Sequence, residues 1–327
     1  MPWSTVRQAG WTGLELPGDA GECATFREVA VLLFEVGRAC AGSPFLAVAS
    51  ISVAFAQLGV PGDERDRLTG AIEAAESVHV TAVAADSLEP HTAFDLVHSN
   101  GRWSVHGTES SVLDAMSADR LLLPARYPDG RPAIAVIDAD SSGISITEQP
   151  LVDETRTMGR VDAAGAVPDA VIPMLSEDSN PLSHIADRAT LALAWDSLGL
   201  SEAMLEATVA YCAAREQFGR PIASFQAVKH ACADMFVQIS LARGLVDEAT
   251  ELVSDRLPGA SRAVSMAKVS ASVTGVQVAG KAVQLHGAYG YSWESGLHRY
   301  LKRAILNRSL FGSLSAHRRR VAEAYGV

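Results

Sequence analysis

Hydrophobic and polar positions change their period twice along the chain. Over residues 1–77 the period is helical. Glu28, Val31, Leu32, Glu35 and Val36 fall at helical spacing, with apolar Val29, Ala30, Leu33 and Phe34 between them. An apolar run from Phe45 to Leu58 is closed by Gly59 and Pro61-Gly62, and a third helix is expected from Asp63 to Glu73. Over 78–177 the period shortens. Val78, Val80, Ala82 and Ala84 alternate with other residues, and Asn100-Gly101 separates the β-like segments Ala93–His98 and Arg102–His106. Both turn residues tolerate positive φ, so a hairpin is expected there. Leu121–Ala125 and Ala133–Asp138 flank the turn Pro128-Asp129-Gly130, and Ile144 and Ile146 follow Ser141-Ser142-Gly143. Short strands spaced by turns predict a small antiparallel sheet or barrel.

From 178 to 327 the helical period returns. Leu191, Trp195, Leu198, Leu205, Val209 and Cys212 mark one long helix that Gly219-Arg220-Pro221 should end. Cys232, Met235, Ile239, Ala242 and Val246 mark a second, from Ser224 to Ser254, which Pro258-Gly259 breaks. Val269, Val273, Val276, Gly280 and Val283 mark a third. Long amphipathic helices with short connections predict an antiparallel bundle. The reading is mainly α with a central β-domain: an N-terminal helical domain (1–77), a middle antiparallel β-barrel-like domain (78–177) and a C-terminal four-helix-bundle domain (178–327).

Composition narrows the function. The chain has 327 residues, 48% hydrophobic, with a formal charge of −11. That supports a sizeable core and argues against a nucleic-acid binder. Residues 181–327 carry +4 and residues 1–180 carry −15; such asymmetry can mark the half that meets anions, but before any motif it reads as two differently solvated surfaces. Neither an apolar run long enough to span a membrane nor a secretion signal is read, and Cys23, Cys40, Cys212 and Cys232 lack metal-site spacing. A cytoplasmic protein with free thiols and no metal, nucleic-acid or membrane partner is expected.

Two constellations carry chemistry. Arg215-Glu216-Gln217-Phe218-Gly219-Arg220-Pro221-Ile222, followed by Phe225-Gln226, is a helix end, a turn and a new helix start. It brings backbone N–H groups beside a guanidinium, which suits a phosphate. From spacing alone a plain helix connection with solvated charges is the favoured reading. Gln284-Leu285-His286-Gly287-Ala288-Tyr289-Gly290-Tyr291 ends the third long helix in glycines that allow close approach of a ligand, or that simply cap the helix.

Together the two segments resemble the acyl-CoA dehydrogenase family. Arg-Glu-Gln-Phe-Gly-Arg-Pro-Ile…Phe-Gln is similar to the turn between the first two helices of that family's C-terminal bundle, and Gln-x-x-Gly-x-x-Gly-Tyr to its second signature. Ala9–Leu14 and Gly101–Gly107 resemble its early segment and a strand pair of its middle domain. The resemblance implies an FAD enzyme that removes an α-proton from an acyl-CoA with a Glu carboxylate and passes the β-hydride to the flavin. It implies FAD held across a subunit interface, with Arg215, Gln217, Phe218, Gln226, Gln284 and Gly287 as cofactor-binding residues toward a neighbour's FAD.

The chain departs from the family where the chemistry occurs. The usual Glu of a Tyr-Glu-Gly-Thr segment aligns with Phe311, in Leu310-Phe311-Gly312-Ser313, and a phenyl ring accepts no proton. The alternative Glu site on the first bundle helix falls at Ala189; Asp187 is turned about 200° from it. No catalytic residue is therefore assigned. A Trp-x-Thr segment that packs on the flavin ring aligns with Ser111-Val112-Leu113, and in Ser87–Asp95 only Glu89-Pro90 remain of a Thr-Glu-Pro…Gly-Ser-Asp pattern. The split resembles the non-catalytic partner in actinobacterial heteromeric (α2β2) acyl-CoA dehydrogenases, many of which act on steroid side-chain CoA thioesters. The expected partner is a homologous catalytic subunit carrying the Glu, with an acyl-CoA as substrate and this chain inactive alone. The alternatives are a homotetrameric enzyme with a relocated base such as Glu294, a catalytically inert structural or regulatory homologue, and a related flavin oxidase. Trp195 reads as core, His230 and His286 as structural, Arg318–Arg320 as a solvated helix end, and Cys212 and Cys232 as buried thiols.

Overall fold

The computed structural model describes residues 1–16, 23–175 and 181–326, so a boundary between 177 and 178 lies outside the described residues. The chain forms two compact units, Met1–Val29 with Gly42–Ala189, and Ala30–Ala41 with Thr190–Val327.

In the first unit, α1 (Trp3–Gln8) precedes α2 (Phe26–Arg38), which begins here. The apolar run after Phe45 is a helix of mixed pitch: α3 (Phe45–Ala47), a π-helical turn (Val48–Ser52) and α4 (Val53–Ala56). Every residue of it is buried, and the Ser52 hydroxyl accepts from the Thr81 backbone N–H at 3.1 Å. α5 (Asp63–Ala74) opens on Asp63, Glu64 and Asp66, whose charges favour a helix N-terminus.

The strands are β1 (His79–Thr81), β2 (Phe94–Ser99), β3 (Arg102–Leu113), β4 (Arg120–Arg126), β5 (Pro132–Asp138), β6 (Ile144–Glu148), β7 (Met158–Ala166) and β8 (Ala170–Pro173). They form one sheet in the order β6-β7-β3-β2-β4-β5-β8, with β1 on β4. The β2–β3 hairpin closes at Asn100 (φ 50°) and Gly101 (φ 76°), the positive pair that the sequence signalled. Turn spacing predicts an antiparallel sheet, but β1–β4 and β2–β4 run parallel. After β3 the chain passes through a short turn and re-enters beside β1 and β2, and side-chain alternation carries no information about strand direction. Leu121–Ala125 and Ala133–Ile137 are buried without alternation, because both faces of these central strands are covered.

The second unit holds most of α6 (Pro181–Ala214), together with a short hairpin of β9 (Glu216–Gln217) and β10 (Arg220–Pro221), α7 (Gln226–Ser254), α8 (Ala260–His286), α9 (Leu297–Ser309) and α10 (Leu314–Ala324). Trp195 is core, as expected; its indole N–H donates to Thr250 Oγ1 at 2.9 Å, and Phe34 meets its ring edge-on. α2 and α6 approach closely at glycines. A Cβ on Gly199 would lie 2.0 Å from the Phe34 carbonyl oxygen. Two expectations change. α6 ends at Ala214, before Gly219-Arg220-Pro221, because 216–221 form the hairpin. The valine face of α8 is only partly buried at Val269, Val273 and Val276. Its fully buried face is a stripe of small residues, including Ala267, Ala271, Gly275 and Ala279, which allows close helix packing. No helix among the described residues is long and apolar enough to cross a membrane. The described residues also hold no metal-sized cluster of His, Cys, Asp and Glu.

Candidate functional site

The ends of α6 and α8 frame an open pocket of about 610 Å³. α6 contributes Tyr211, and Arg215 follows immediately after its last residue, one turn beyond Tyr211. The hairpin contributes Gln217 and is followed by Ile222; α8 and its C-terminus contribute Gln284 through Tyr289. Hydrogen bonds fix the corner. Arg215 N–H donates to Tyr211 C=O, and Ile222 N–H to Arg215 C=O, each at 2.8 Å. The hairpin turn places Phe218 (φ 55°) and Gly219 (φ 75°) in the left-handed region. Gly287 adopts φ 60° and ψ −137°, a conformation essentially reserved for glycine.

An aromatic stack forms one wall. The Tyr211 and His286 rings lie 4.3 Å apart, and Tyr211 and Tyr289 are parallel at 5.9 Å. His286 is buried, and its Nδ1 lies 2.7 Å from the Ala282 carbonyl oxygen. Because that oxygen can only accept, Nδ1 carries a proton there. Gln284 Oε1 accepts from Lys281 Nζ at 3.1 Å. The pocket thus offers a guanidinium, two primary amides and flat rings around open space. That donor set matches an anion joined to a planar group.

A second feature of this unit is the turn between α9 and α10. Phe311 is 0% exposed and has φ 51°. The turn is clamped by its carbonyls: Lys268 Nζ donates to Leu310 O at 2.8 Å and to Asn307 O, and His317 Nε2 donates to Phe311 O at 2.9 Å. Asn307 Nδ2 donates to Asp196 at 2.6 Å, and Arg303 pairs with the same carboxylate through two nitrogens at 2.9 and 2.5 Å. All of these side chains are buried.

Residues 186–326 match the acyl-CoA dehydrogenase C-terminal domain. Acyl-CoA dehydrogenase IpdE2 of Mycobacterium tuberculosis is 30% identical over 295 residues, covering 89% of this chain and 74% of that protein. The chain belongs to the acyl-CoA dehydrogenase family. Among solved structures, the Tcur3481-Tcur3483 steroid acyl-CoA dehydrogenase variant is 27% identical at a TM-score of 0.83, covering 99% of this chain and 88% of that one. The ChsE4-ChsE5 complex of Mycobacterium tuberculosis shares the fold at 24% identity and a TM-score of 0.83, covering 99% of this chain and 87% of that one. This acyl-CoA dehydrogenase fold is the mainly helical architecture with a central sheet that the sequence predicted.

Within this family member, the residues picked from the sequence divide. Arg215, Gln217, Gln284 and Gly287 line the one pocket. Phe218 does not: it projects from the hairpin at 91% exposure, touching Phe225 edge-on at 6.1 Å. Gln226, the first residue of α7, is exposed and does not line the pocket either. Ile222, Leu285, His286, Ala288 and Tyr289 of the two constellations also line the pocket, and Tyr211 lies outside both. Tyr211 was legible as the residue one helical turn before Arg215. His286 was read as structural, and it is both buried and part of the wall. Cys212 is buried as expected, while Cys232 is only half-buried.

The first unit presents a different picture at Ser111–Leu113. Val112 and Leu113 are buried, Ala84 bridges Val112, and Ala85 N–H donates to Ser111 C=O at 2.7 Å. Ser111 Oγ donates to Asp86 at 3.2 Å. The segment beside this end of β3 is therefore Ala84–Asp86, whereas Glu89 is exposed. No indole and no threonine hydroxyl is presented. Val112 and Leu113 are aliphatic and closed, and the Ser111 hydroxyl is tied to Asp86, which does not fit a flavin ring. Two residues earlier, Glu109 is buried; one carboxylate oxygen accepts from Ser110 N–H at 2.8 Å and the other has no hydrogen-bond partner. Burial pushes this carboxyl above the ordinary range. Glu294, the alternative base, is exposed at the end of the pocket segment.

Proposed function

We propose that this chain is the base-less subunit of a heteromeric α2β2 acyl-CoA dehydrogenase, and that it completes the FAD site of a homologous catalytic subunit. Members of the family use FAD, and the group supplies, when bound, the hydride-accepting N5 for α,β-desaturation of an acyl-CoA thioester. The observation that carries the reading is a contrast within one unit. Arg215, Gln217, Gln284 and Gly287 converge on an open pocket, while the position of the catalytic Glu holds a fully buried Phe311.

In this reading Arg215 neutralises pyrophosphate charge, which a fixed guanidinium does well. Gln217 and Gln284 offer amide hydrogen bonds, and Gly287 lets the ligand approach the backbone. Phe218 and Gln226 serve the same cofactor from outside the pocket lining, Phe218 through its exposed ring. The catalytic subunit supplies the Glu that takes the α-proton and cradles the flavin ring. The named steroid acyl-CoA dehydrogenase among the similar structures favours a bulky steroid side-chain CoA as substrate. Cysteines outside any disulfide fit a reducing cytoplasm.

The test is stoichiometry. The chain purified alone is expected to be colourless and inactive toward acyl-CoA. Co-purified with its catalytic subunit, it should carry one FAD per pair of chains. One FAD per chain, or turnover by the single chain, overturns the reading.

A further inference from the structure

The first unit holds a second, smaller pocket that the flavin chemistry does not use. Strand register builds its floor. His79 pairs with Arg120, Arg120 with Asp138, and Val136 with Ala170, so these side chains share one face of β1, β4, β5 and β8. α5 meets that face with Glu64, Arg67, Leu68 and Ala71, four positions on one helix flank. The space between them is about 200 Å³. At about 30 Å³ per water that is room for roughly six waters, and drug-sized ligands need about 300–1,000 Å³. One lining group is left unsatisfied. His79 is 1% exposed, and its Nδ1 lies 3.2 Å from the Ser77 carbonyl oxygen. That oxygen can only accept, so Nδ1 carries a proton there. Burial above all, with Arg120 beside the ring, pushes the His79 pKa below the ordinary 6.5. At neutral pH the ring is therefore uncharged, and Nε2 is an acceptor. Nε2 meets no donor among the described residues, and a buried acceptor without one is costly.

We infer that this pocket binds a small aliphatic α-amino acid, its ammonium donating to His79 Nε2 and its carboxylate facing Arg67. Charge selects the ammonium. Three carboxylates, Glu64, Asp138 and Asp169, stand in or beside the pocket against two guanidiniums, Arg67 and Arg120, which leaves one negative charge in excess. Arg120 is engaged by Asp138 at 2.8 Å and faces Asp169 at 3.6 Å. An ammonium brings three donors and the charge the pocket lacks, whereas water brings a donor alone. The second guanidinium selects the carboxylate. Arg67 Nε donates to the Asp63 carbonyl oxygen at 3.2 Å, and the side chain has no ion-pair partner among the described residues. Arg67 and Ala71 are exposed, so the pocket opens along the α5 flank while His79 stays buried. Leu68, Val136 and Ala170 give the remaining wall, which suits a short aliphatic side chain. The site lies within the first unit and stands independently of the heteromeric reading.

The experiment titrates L-valine, isobutylamine and isobutyrate into the full chain by calorimetry, with a parallel nitrogen NMR series on histidine-labelled protein. L-Valine should bind saturably and shift the His79 Nε2 resonance. Isobutylamine, which lacks the carboxylate, should bind at least about 10-fold more weakly, and isobutyrate should not bind. Arg67→Ala, at an exposed position that the fold does not need, should weaken L-valine at least about 10-fold and spare isobutylamine. His79→Leu should weaken both, and His79→Gln, whose amide oxygen accepts, should restore most of the loss. The pH profile separates His79 from its neighbours. Binding should fall as the pH drops through the lowered His79 pKa, because a protonated Nε2 accepts nothing and adds a cation. In His79→Gln that step should vanish, which leaves only the decline at lower pH as Glu64, Asp119, Asp138 and Asp169 protonate, with Arg67 and Arg120 charged throughout. An unmoved His79 resonance, isobutyrate binding as well as L-valine, or no binding of any of the three overturns the inference.

Discussion

At the ends of α6 and α8, a guanidinium and two amides face open space, whereas at the end of β3 aliphatic side chains are sealed into the core. Each region is well built. The pocket corner is tied by backbone hydrogen bonds and by a glycine in a conformation closed to other residues. The β3 end is tied by the Ala85–Ser111 hydrogen bond and the Ala84–Val112 bridge. A chain drifting without constraint would not be expected to close one site tidily and keep the other furnished. The contrast teaches that missing chemistry is not the same as missing structure, and Phe311 shows this most plainly. Its turn keeps a left-handed backbone and buried Lys268 and His317 clamps although no proton acceptor is there.

The largest effect should come from the framework behind that turn. Asp196 and Arg303 are fully buried partners, and Asn307 shares the same carboxylate. Removing one member leaves an uncompensated buried charge, which costs about 3–5 kcal/mol. Asp196→Ala should lower the unfolding free energy by that amount in urea. A loss under about 1 kcal/mol would mean that the Asp196 network contributes little to the turn. Phe311→Glu comes next. It places a carboxyl in an apolar, fully buried position and should cost about 2–4 kcal/mol, without giving the isolated chain any acyl-CoA turnover. Activity gained from that single change would break the comparison, because it would make the β3 end a working flavin seat.

Much of this molecule is legible in its amino-acid sequence. Helical periods mark the long helices, Asn100-Gly101 marks the β2–β3 turn, and the two dense segments at 215–226 and 284–291 mark the pocket. What is not legible follows from physical limits. Alternation in β4 and β5 is erased because both faces are covered, and the same continuous apolar run serves β4, which has parallel neighbours, and β5, which has only antiparallel ones. The buried face of α8 is built of Ala, Gly and Ser, which a hydrophobic pattern ranks below the valines beside it. Phe218 and Gln226 follow the motif, but the hairpin turns one outward and the helix start leaves the other exposed. Tyr289 and His286 enter the wall through a ring stack that no linear spacing encodes.

Two measurements then sharpen each side of the contrast. On the open side, Arg215→Ala should weaken FAD retention in the assembled pair by about 10–100-fold, the range of a charged hydrogen bond of about 1.5–3 kcal/mol, with little change in the melting temperature of the isolated chain. Flavin fluorescence released on dilution reads this directly. On the closed side, Glu109 gives a pH signature. Burial raises its native carboxyl pKa above the ordinary 4.5, so the folded chain keeps a proton that the unfolded chain releases. Its contribution is complete below that ordinary value and is lost as pH rises through the raised native value. Glu109→Gln removes the titration. Parent and variant should therefore show the same pH trend in acid, and the variant should gain stability relative to the parent as pH rises, levelling off above the native pKa. Parallel stability curves throughout would place Glu109 in contact with water.

The smallest expected effect concerns the hairpin that carries Gln217. Phe218 pays for its position twice, through a left-handed φ of 55° and through a ring left 91% exposed. Asparagine tolerates that backbone far better than phenylalanine, and little packing is lost, since the ring meets Phe225 only edge-on. Phe218→Asn should therefore stabilise the isolated chain by about 0.5–1 kcal/mol, seen as a small rise in melting temperature. The same change should weaken assembly with the flavin-bearing chain. Opposite signs in the two assays would mean that the strain is held for a partner's benefit. Equal signs would return Phe218 to the ordinary packing of its own unit, and would make the contrast between the open and closed regions one of local architecture alone.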